Sequence, residues 1–383
     1  MLLRQSGAIF LDAYRELNSK KLFWITLVLS GIVVAACACL GISERGLTFL
    51  HWELNFGPST AFVSREMFYK QFLFVGFGIK FWLTWVATIL ALISTASIFP
   101  DFMSSGSIEL VLSRPIGRLR LFVTKYLSGL LFVAFQITVF TAASFLVIGI
   151  RGGAWEPRLF LAIPLVLCFF SYIFSICVFL GLVTRSAIAS LLITILIWLA
   201  CWGVYAGDSA VDAVRFFHAQ RITALDKRID QRTQDLEALK THKDGLSFTE
   251  AVANATKTAT TENALTSLKS KKQDSEWWRT RLDWARRATH TVYTCLPKMA
   301  ETKDLLELAL LTEHDRKQIM DDDKNGPTIR SDDPEVPVDD HAMERHLKES
   351  KLNKSAWWVL GTSLGFEVLV LGLAARIFYR RDF

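Results

Sequence analysis

The sequence predicts an all-α membrane protein: six transmembrane helices, an N-terminal interfacial helix, and a mainly helical extracytoplasmic insertion between spans five and six. Three observations carry this. The chain has 383 residues, 51% of them hydrophobic, with mean hydropathy +0.31, whereas ordinary soluble domains reach about 45–50% only when glycine is counted. The apolar residues cluster in runs at about 23–42, 77–99, 121–150, 159–184, 186–205 and 356–378, each long enough for a hydrocarbon core of ~30 Å. Residues 206–355 are different in kind, holding 25 of the 43 Lys and Arg and 27 of the 37 Asp and Glu.

The elements follow in order. Leu3, Phe10, Tyr14 and Leu17 share one face of residues 3–20, with Arg4, Asp12, Arg15 and Glu16 elsewhere, so segment 1–21 reads as an amphipathic helix in the headgroup layer. Val34-Ala35-Ala36-Cys37 resembles a lipoprotein cleavage box. The apolar run continues past Cys37, however, and Asp12 and Glu16 precede it. A secretory signal has a shorter apolar core, so the run is read as an uncleaved first span. Residues 43–70 form an outer loop. Thr48 to Asn55 alternates enough for a short strand, and Phe62, Met67, Phe68 and Tyr69 suit an interfacial turn. Only Thr184-Arg185-Ser186 separates the fourth and fifth runs, which fits a tight turn between two full spans. Trp82, Trp85, Trp155, Trp198, Trp202, Trp357 and Trp358 fall near one inferred boundary, the pattern of an aromatic belt. Spans one to five thus occupy 22–205, the insertion 206–355, and the last span with its tail 356–383.

Within the insertion, Ile222, Leu225, Ile229, Leu236 and Leu239 recur at helical spacing, predicting an amphipathic helix from about 208 to 241. A linker containing Gly245 follows. Leu265, Leu268 and Leu282 with Trp277, Trp278 and Trp284 predict a second helix to about 290. An antiparallel, coiled-coil-like hairpin is the simplest arrangement. A third helix is expected around Thr302–Met320, an exposed loop over the proline- and aspartate-rich 321–340, and a short helix from His341 to Lys354.

Outside the insertion 18 basic and 10 acidic residues remain, a net +8. Twelve of the basic residues, including Arg15, Lys20, Arg114, Arg118, Arg185, Arg380 and Arg381, fall on the side of the N-terminus. The positive-inside rule then puts both termini in the cytoplasm and the insertion outside. The +6 net charge needs no nucleic-acid partner, because the excess lies beside the spans. Five of six cysteines (Cys37, Cys39, Cys168, Cys177, Cys201) lie in apolar runs, where they serve as packing residues rather than a disulfide framework.

The segment with most functional content joins the second and third runs: residues 100–118. Ile108, Leu110, Val111 and Leu112 offer an apolar face, Asp101, Glu109, Arg114 and Arg118 offer charges, and Pro115 stops a short helix. The pattern Gly106-Ser107-Ile108-Glu109-Leu110 followed by Pro115 and Arg118 resembles the coupling element of type-2 ABC exporter permeases, and Phe378-Tyr379-Arg380-Arg381-Asp382-Phe383 is similar to their endings. The resemblance extends only weakly into 206–355. It departs from the family just before Gly106, where Phe102, Met103, Ser104 and Ser105 stand in place of acidic residues. What it implies is a permease subunit in a bacterial plasma (inner) membrane, used as a homodimer or related heterodimer. A separate ABC ATPase would be coupled through Asp101, Gly106, Glu109, Pro115 and Arg118. ATP and magnesium would bind that ATPase and no cofactor this chain, which carries no Gly-x-x-x-x-Gly-Lys-Ser/Thr sequence and is not expected to be an enzyme. The rival reading is a non-transporting scaffold or signalling protein whose helical ectodomain binds an envelope partner.

Three further features are weighed. Glu367 sits mid-span, where a carboxylate is costly and faces a bundle interior or water. It lines a path, pairs with Lys80, or is a protonated packing group. Gln136 reads as a helix–helix hydrogen bond, with a place beside Glu367 on a translocation path as its functional alternative. Asp321, Asp323, Asn325, Gly326 and Asp332 approximate a calcium loop, but Pro327 and Asp332 fit it poorly and a solvated acidic loop is favoured. His341 and His346 are spaced wrongly for a shared helical face, so no zinc site is expected.

Overall fold

A computed structural model describes residues 21–44, 46–50, 52–54, 65–104, 117–153, 155–241, 247–310, 342, 343, 346, 350 and 355–380. The expected interfacial helix apart from Lys21, the central part of loop 100–118, the calcium-like segment and His341 lie outside the described residues.

Helix α1, Lys21–Cys39, leads directly into an antiparallel meander of β1 (Leu40–Ser43), β2 (Gly46–Phe49) and β3 (Trp52–Leu54). The register sets Leu40 against Phe49, Ser43 against Gly46 and Phe49 against Trp52. The first helix therefore ends earlier than the apolar run, whose last residues become strand. Two local causes are visible. The Tyr69 hydroxyl donates to the Leu40 carbonyl at 2.6 Å, satisfying a group the helix end releases. Gly46 has φ 133°, a conformation open mainly to glycine, which makes the turn between the strands tight.

Among the described residues five helices are long and apolar enough to cross a membrane: α2 (Arg65–Met103), α3 (Arg118–Gly152), α4 (Pro157–Thr184), α5 (Ala187–Thr241) and, near the C-terminus, α8 (Ala356–Arg380). The apolar part of α1, Phe23–Cys39, is shorter. The architecture is mainly helical with several long apolar helices, as in an all-α membrane protein. Met67, Phe68 and Tyr69 lie in α2, which starts well before the predicted run. The α4–α5 turn is as tight as expected. Arg185 adopts φ 54°, its N–H donating to Gly181 O at 3.0 Å, while Ser186 Oγ accepts from Ala189 N–H.

The chain divides into two compact units. The first comprises residues up to Trp202, Leu296–Thr312 and Lys354–Phe383. Its core is built around α4, where Phe169, Phe170, Tyr172, Ile173, Phe174 and Leu182 are fully buried. By contrast α5 exposes Ile188, Leu192 and Leu196, and α8 exposes Val368 and Leu369. Such faces are costly in water and cost nothing against lipid tails.

Helix α7, Met299–Leu310, belongs to this first unit. A third helix was expected inside an insertion running from 206 to 355. It instead starts earlier and buries Met299, Thr302 and Leu305 among the apolar helices. Pro297 precedes it, and the Lys298 N–H donates to Ser363 Oγ of α8 at 2.9 Å. The tryptophans also differ from a simple belt. Trp82 donates through Nε1 to Ser30 at 3.1 Å, and Trp85 stacks on Trp198 with centroids 4.9 Å apart. These indoles pack helix against helix.

The second unit comprises Gly203–Cys295 and Glu313–Asn353. Its hairpin is formed by the later part of α5 and by α6, Phe248–Cys295. The expected helix from 208 is the continuation of α5, which runs unbroken for 55 residues. Glu250 reaches back to Ser247 at the start of α6, its Oε2 accepting from Ser247 Oγ and N–H at 2.8 and 3.0 Å, one half of a capping box. These bonds hold the Glu250 carboxyl below its ordinary value. Lys240–Glu262, Asp226–Lys272, Arg215–Asp283, Asp212–Arg286 and the Asp208–Thr289 hydrogen bond follow one antiparallel register. Leu225 and Leu268 are buried between these pairs.

Candidate functional site

Two arrangements in the first unit carry chemistry or mechanics. One is built at the end of the helices that flank loop 100–118. Phe102 at the end of α2 lies 6.4 Å from Phe378 of α8, and Phe122 of α3 lies 5.8 Å from the same ring. Phe99 and Phe122 are 5.3 Å apart. Arg118 donates through Nη1 to the Tyr379 carbonyl at 3.2 Å, neutralising a carbonyl that the last turn of α8 leaves open. Lys125 Nζ sits 5.6 Å above the Phe102 ring. Pro100 packs against Gly181, where a Cβ would touch its ring at 3.4 Å. The two ends of the loop are thus joined to α4 and α8 as well as to their own helices.

Of the sequence-predicted loop residues, Asp101 and Arg118 are described. Asp101 is exposed in the last turns of α2, its N–H bonded to Ser97 O at 2.9 Å. Gly106, Glu109 and Pro115 lie outside the described residues.

The second arrangement surrounds Glu367. Tyr126 of α3 donates to Oε1 at 2.7 Å, and Ser171 of α4 donates to Oε2 at 2.8 Å. Glu367 is only 7% exposed, so one carboxyl ties three helices together. Its partners among the described residues are these hydroxyls and not Lys80. Cys168 and Tyr172 of α4 stand close by. Tyr172 in turn faces Thr302 of α7 and Ser363 of α8. The Tyr172 hydroxyl makes no hydrogen bond among the described residues, so Glu367 and the start of α7 are not joined by a continuous hydrogen-bonded chain.

Gln136 is placed differently from its expectation. It is buried in α3, and its Nε2 has no hydrogen-bond partner among the described residues, so the helix–helix bond is not formed. It lies ten residues from Tyr126, about 15 Å along the helix, and the two predicted path residues are not brought together. Sequence reading missed Tyr126, Ser171, Thr302 and Ser363. The available signal was that hydroxyl residues recur within apolar runs beside the acidic one.

A family model described as a protein of unknown function (DUF2705) matches residues 31–204. The match runs from the second half of α1 to the apolar part of α5 and includes loop 100–118. No curated protein and no solved structure matches the chain.

Proposed function

We propose that the chain is the permease subunit of an ATP-driven type-2 ABC exporter, with loop 100–118 receiving the work of a separate ATPase. The observation that carries this reading is the junction at the loop ends: Arg118 bonded to Tyr379 O, and Phe102 and Phe122 meeting at Phe378. A force on the loop moves α2, α3 and α8 together, which is what a coupling element requires. The apolar faces left open on α5 and α8 suit a lipid boundary and a second permease copy, giving a homodimer or related heterodimer. In this reading α1 is a sixth, short span, the termini are cytoplasmic, the membrane is the bacterial inner membrane, and the hairpin projects outside. The chain binds no nucleotide; ATP and magnesium act on the partner.

The test reverses Glu109 and Arg118 in one variant. Co-purification of the ATPase should fall and nucleotide hydrolysis should lose its response to substrate, with membrane insertion unchanged. Wild-type values for both, with a crosslink placing the ATPase elsewhere, reject the assignment. Topology is read by single cysteines at Thr260 and Ser113 in a thiol-free background. An impermeant reagent applied to intact cells should label the first and spare the second.

A second reading rests on α6. Trp277, Trp278 and Trp284 are exposed, with the Arg281 guanidinium 3.9 Å above the Trp277 ring. A scaffold that engages an envelope partner would use such a surface. Full activity in cells lacking every ABC ATPase favours it.

A further inference from the structure

We propose that Glu367 is a proton-binding site, built so that both its charged and its neutral form are satisfied inside the bundle. In the charged form the Tyr126 and Ser171 hydroxyls each donate to one carboxylate oxygen, at 2.7 and 2.8 Å. Each hydroxyl also has a backbone carbonyl in reach. Ser171 O lies 3.3 Å from the Tyr126 hydroxyl, and Cys168 O lies 2.9 Å from Ser171 Oγ. When Glu367 takes up a proton on either oxygen, the hydroxyl on that side turns its own O–H to the carbonyl. Its oxygen then accepts from the new carboxyl O–H, while the other hydroxyl keeps donating. Neither hydroxyl and neither carboxyl oxygen is orphaned in either form, which removes the hydrogen-bonding part of the penalty for exchange in an apolar interior.

The groups facing it are Tyr126 on α3 and Cys168, Ser171 and Tyr172 on α4. Lys125, the neighbour of Tyr126, stands over the Phe102 ring. Lys298, just before α7, and Glu301 and Thr302 on α7 lie beyond Tyr172 and Ser363. Among the described residues no lysine or arginine contacts the carboxyl.

The experiment uses dicyclohexylcarbodiimide on the full-length protein in lipid nanodiscs. The reagent adds to a protonated carboxyl in apolar surroundings and leaves a stable N-acylurea that mass spectrometry locates. Labelling at Glu367 should fall as the pH is raised, and Glu367→Gln should abolish it. Tyr126→Phe removes a donor to the charged form, so the midpoint should rise by about one pH unit. No labelling, labelling unchanged with pH, or an unmoved midpoint in Tyr126→Phe overturns the proposal. Should Tyr126→Phe fail to fold, infrared difference spectra of the wild type after a pH jump decide. A carboxyl stretch absent from Glu367→Gln supports the site, and no such band overturns it. None of these readouts needs an ATPase, so the result stands or falls separately from the permease reading.

Discussion

The backbone of Gly129 lies directly on the Phe174 ring: a Cβ added to Gly129 would meet Cζ at 2.8 Å and Cε1 at 2.9 Å. Phe174 cannot yield cheaply, because its ring is held between Tyr126, stacked at 5.2 Å, and Phe170, at 5.5 Å. Helices α3 and α4 thus approach through a missing side chain, as small residues allow between apolar helices. Gly129→Ala should destabilise the protein by about 1–3 kcal/mol through overpacking. Adding Phe174→Leu should recover part of that loss, a coupling read by a double-mutant cycle in detergent unfolding. Strict additivity would mean that the contact is not what limits the approach.

Phe378 is 2% exposed and shared by Phe102 and Phe122. Phe378→Ala should cost about 3–5 kcal/mol, the usual range for a buried phenylalanine, and should lower the unfolding midpoint accordingly. Arg118→Ala should cost less, about 1 kcal/mol, since its bond to Tyr379 O is exposed. The reverse order would place the mechanical link in the hydrogen bond rather than in the rings.

His218 in the hairpin has its pKa held below the ordinary 6.5, by burial first and by the neighbouring Arg221 second. The sign is fixed by linkage. The unfolded chain takes up a proton near pH 6.5 that the folded chain refuses, so the stability contributed above that pH is lost as pH falls toward the lowered value. Thermal unfolding followed from neutral to mildly acidic pH should show this decline, and His218→Asn should flatten it. An equal slope in the variant assigns the pH dependence to other groups.

Trp284 is 74% exposed, whereas Leu225 is fully buried. Trp284→Ala should change stability by less than about 0.5 kcal/mol, while Leu225→Ala should cost about 2–5 kcal/mol. A collisional quencher should also reach the Trp284 fluorescence. Protection of that indole in the isolated protein would contradict the exposed face.

These tryptophans mark where sequence patterning reached its limit. Apolar periodicity located the long helices, because lipid-length runs and a soluble hairpin differ strongly in composition. It assigned Trp277, Trp278 and Trp284 to the same helix as Leu265 and Leu268 correctly. It did not separate the indoles that face outward from the leucines that face α5, since both count as apolar at helical spacing. The burial of helix α7 escaped for the opposite reason. Its Glu301, Lys303, Asp304 and Glu307 give it a polar composition, yet its Met299, Thr302 and Leu305 are buried. For the carboxyl, Glu367 stood out by charge alone, whereas Tyr126 and Ser171 come from other helices at separations of 241 and 196 residues. No local pattern encodes such a meeting.

The pairing of α5 with α6 has one more consequence. Sliding α6 by one heptad would preserve the leucine-rich character of the seam and would still set Arg215 near Glu276 and Asp212 near Arg279. It would also leave Lys272 facing Ala219, Asp226 facing Leu265 and Glu262 facing Thr233. The apolar residues make the two helices adhere, and the farther ion pairs act as a vernier. Only one offset lets the marks at both ends of the scale coincide, so the length of the hairpin is what makes its alignment unambiguous.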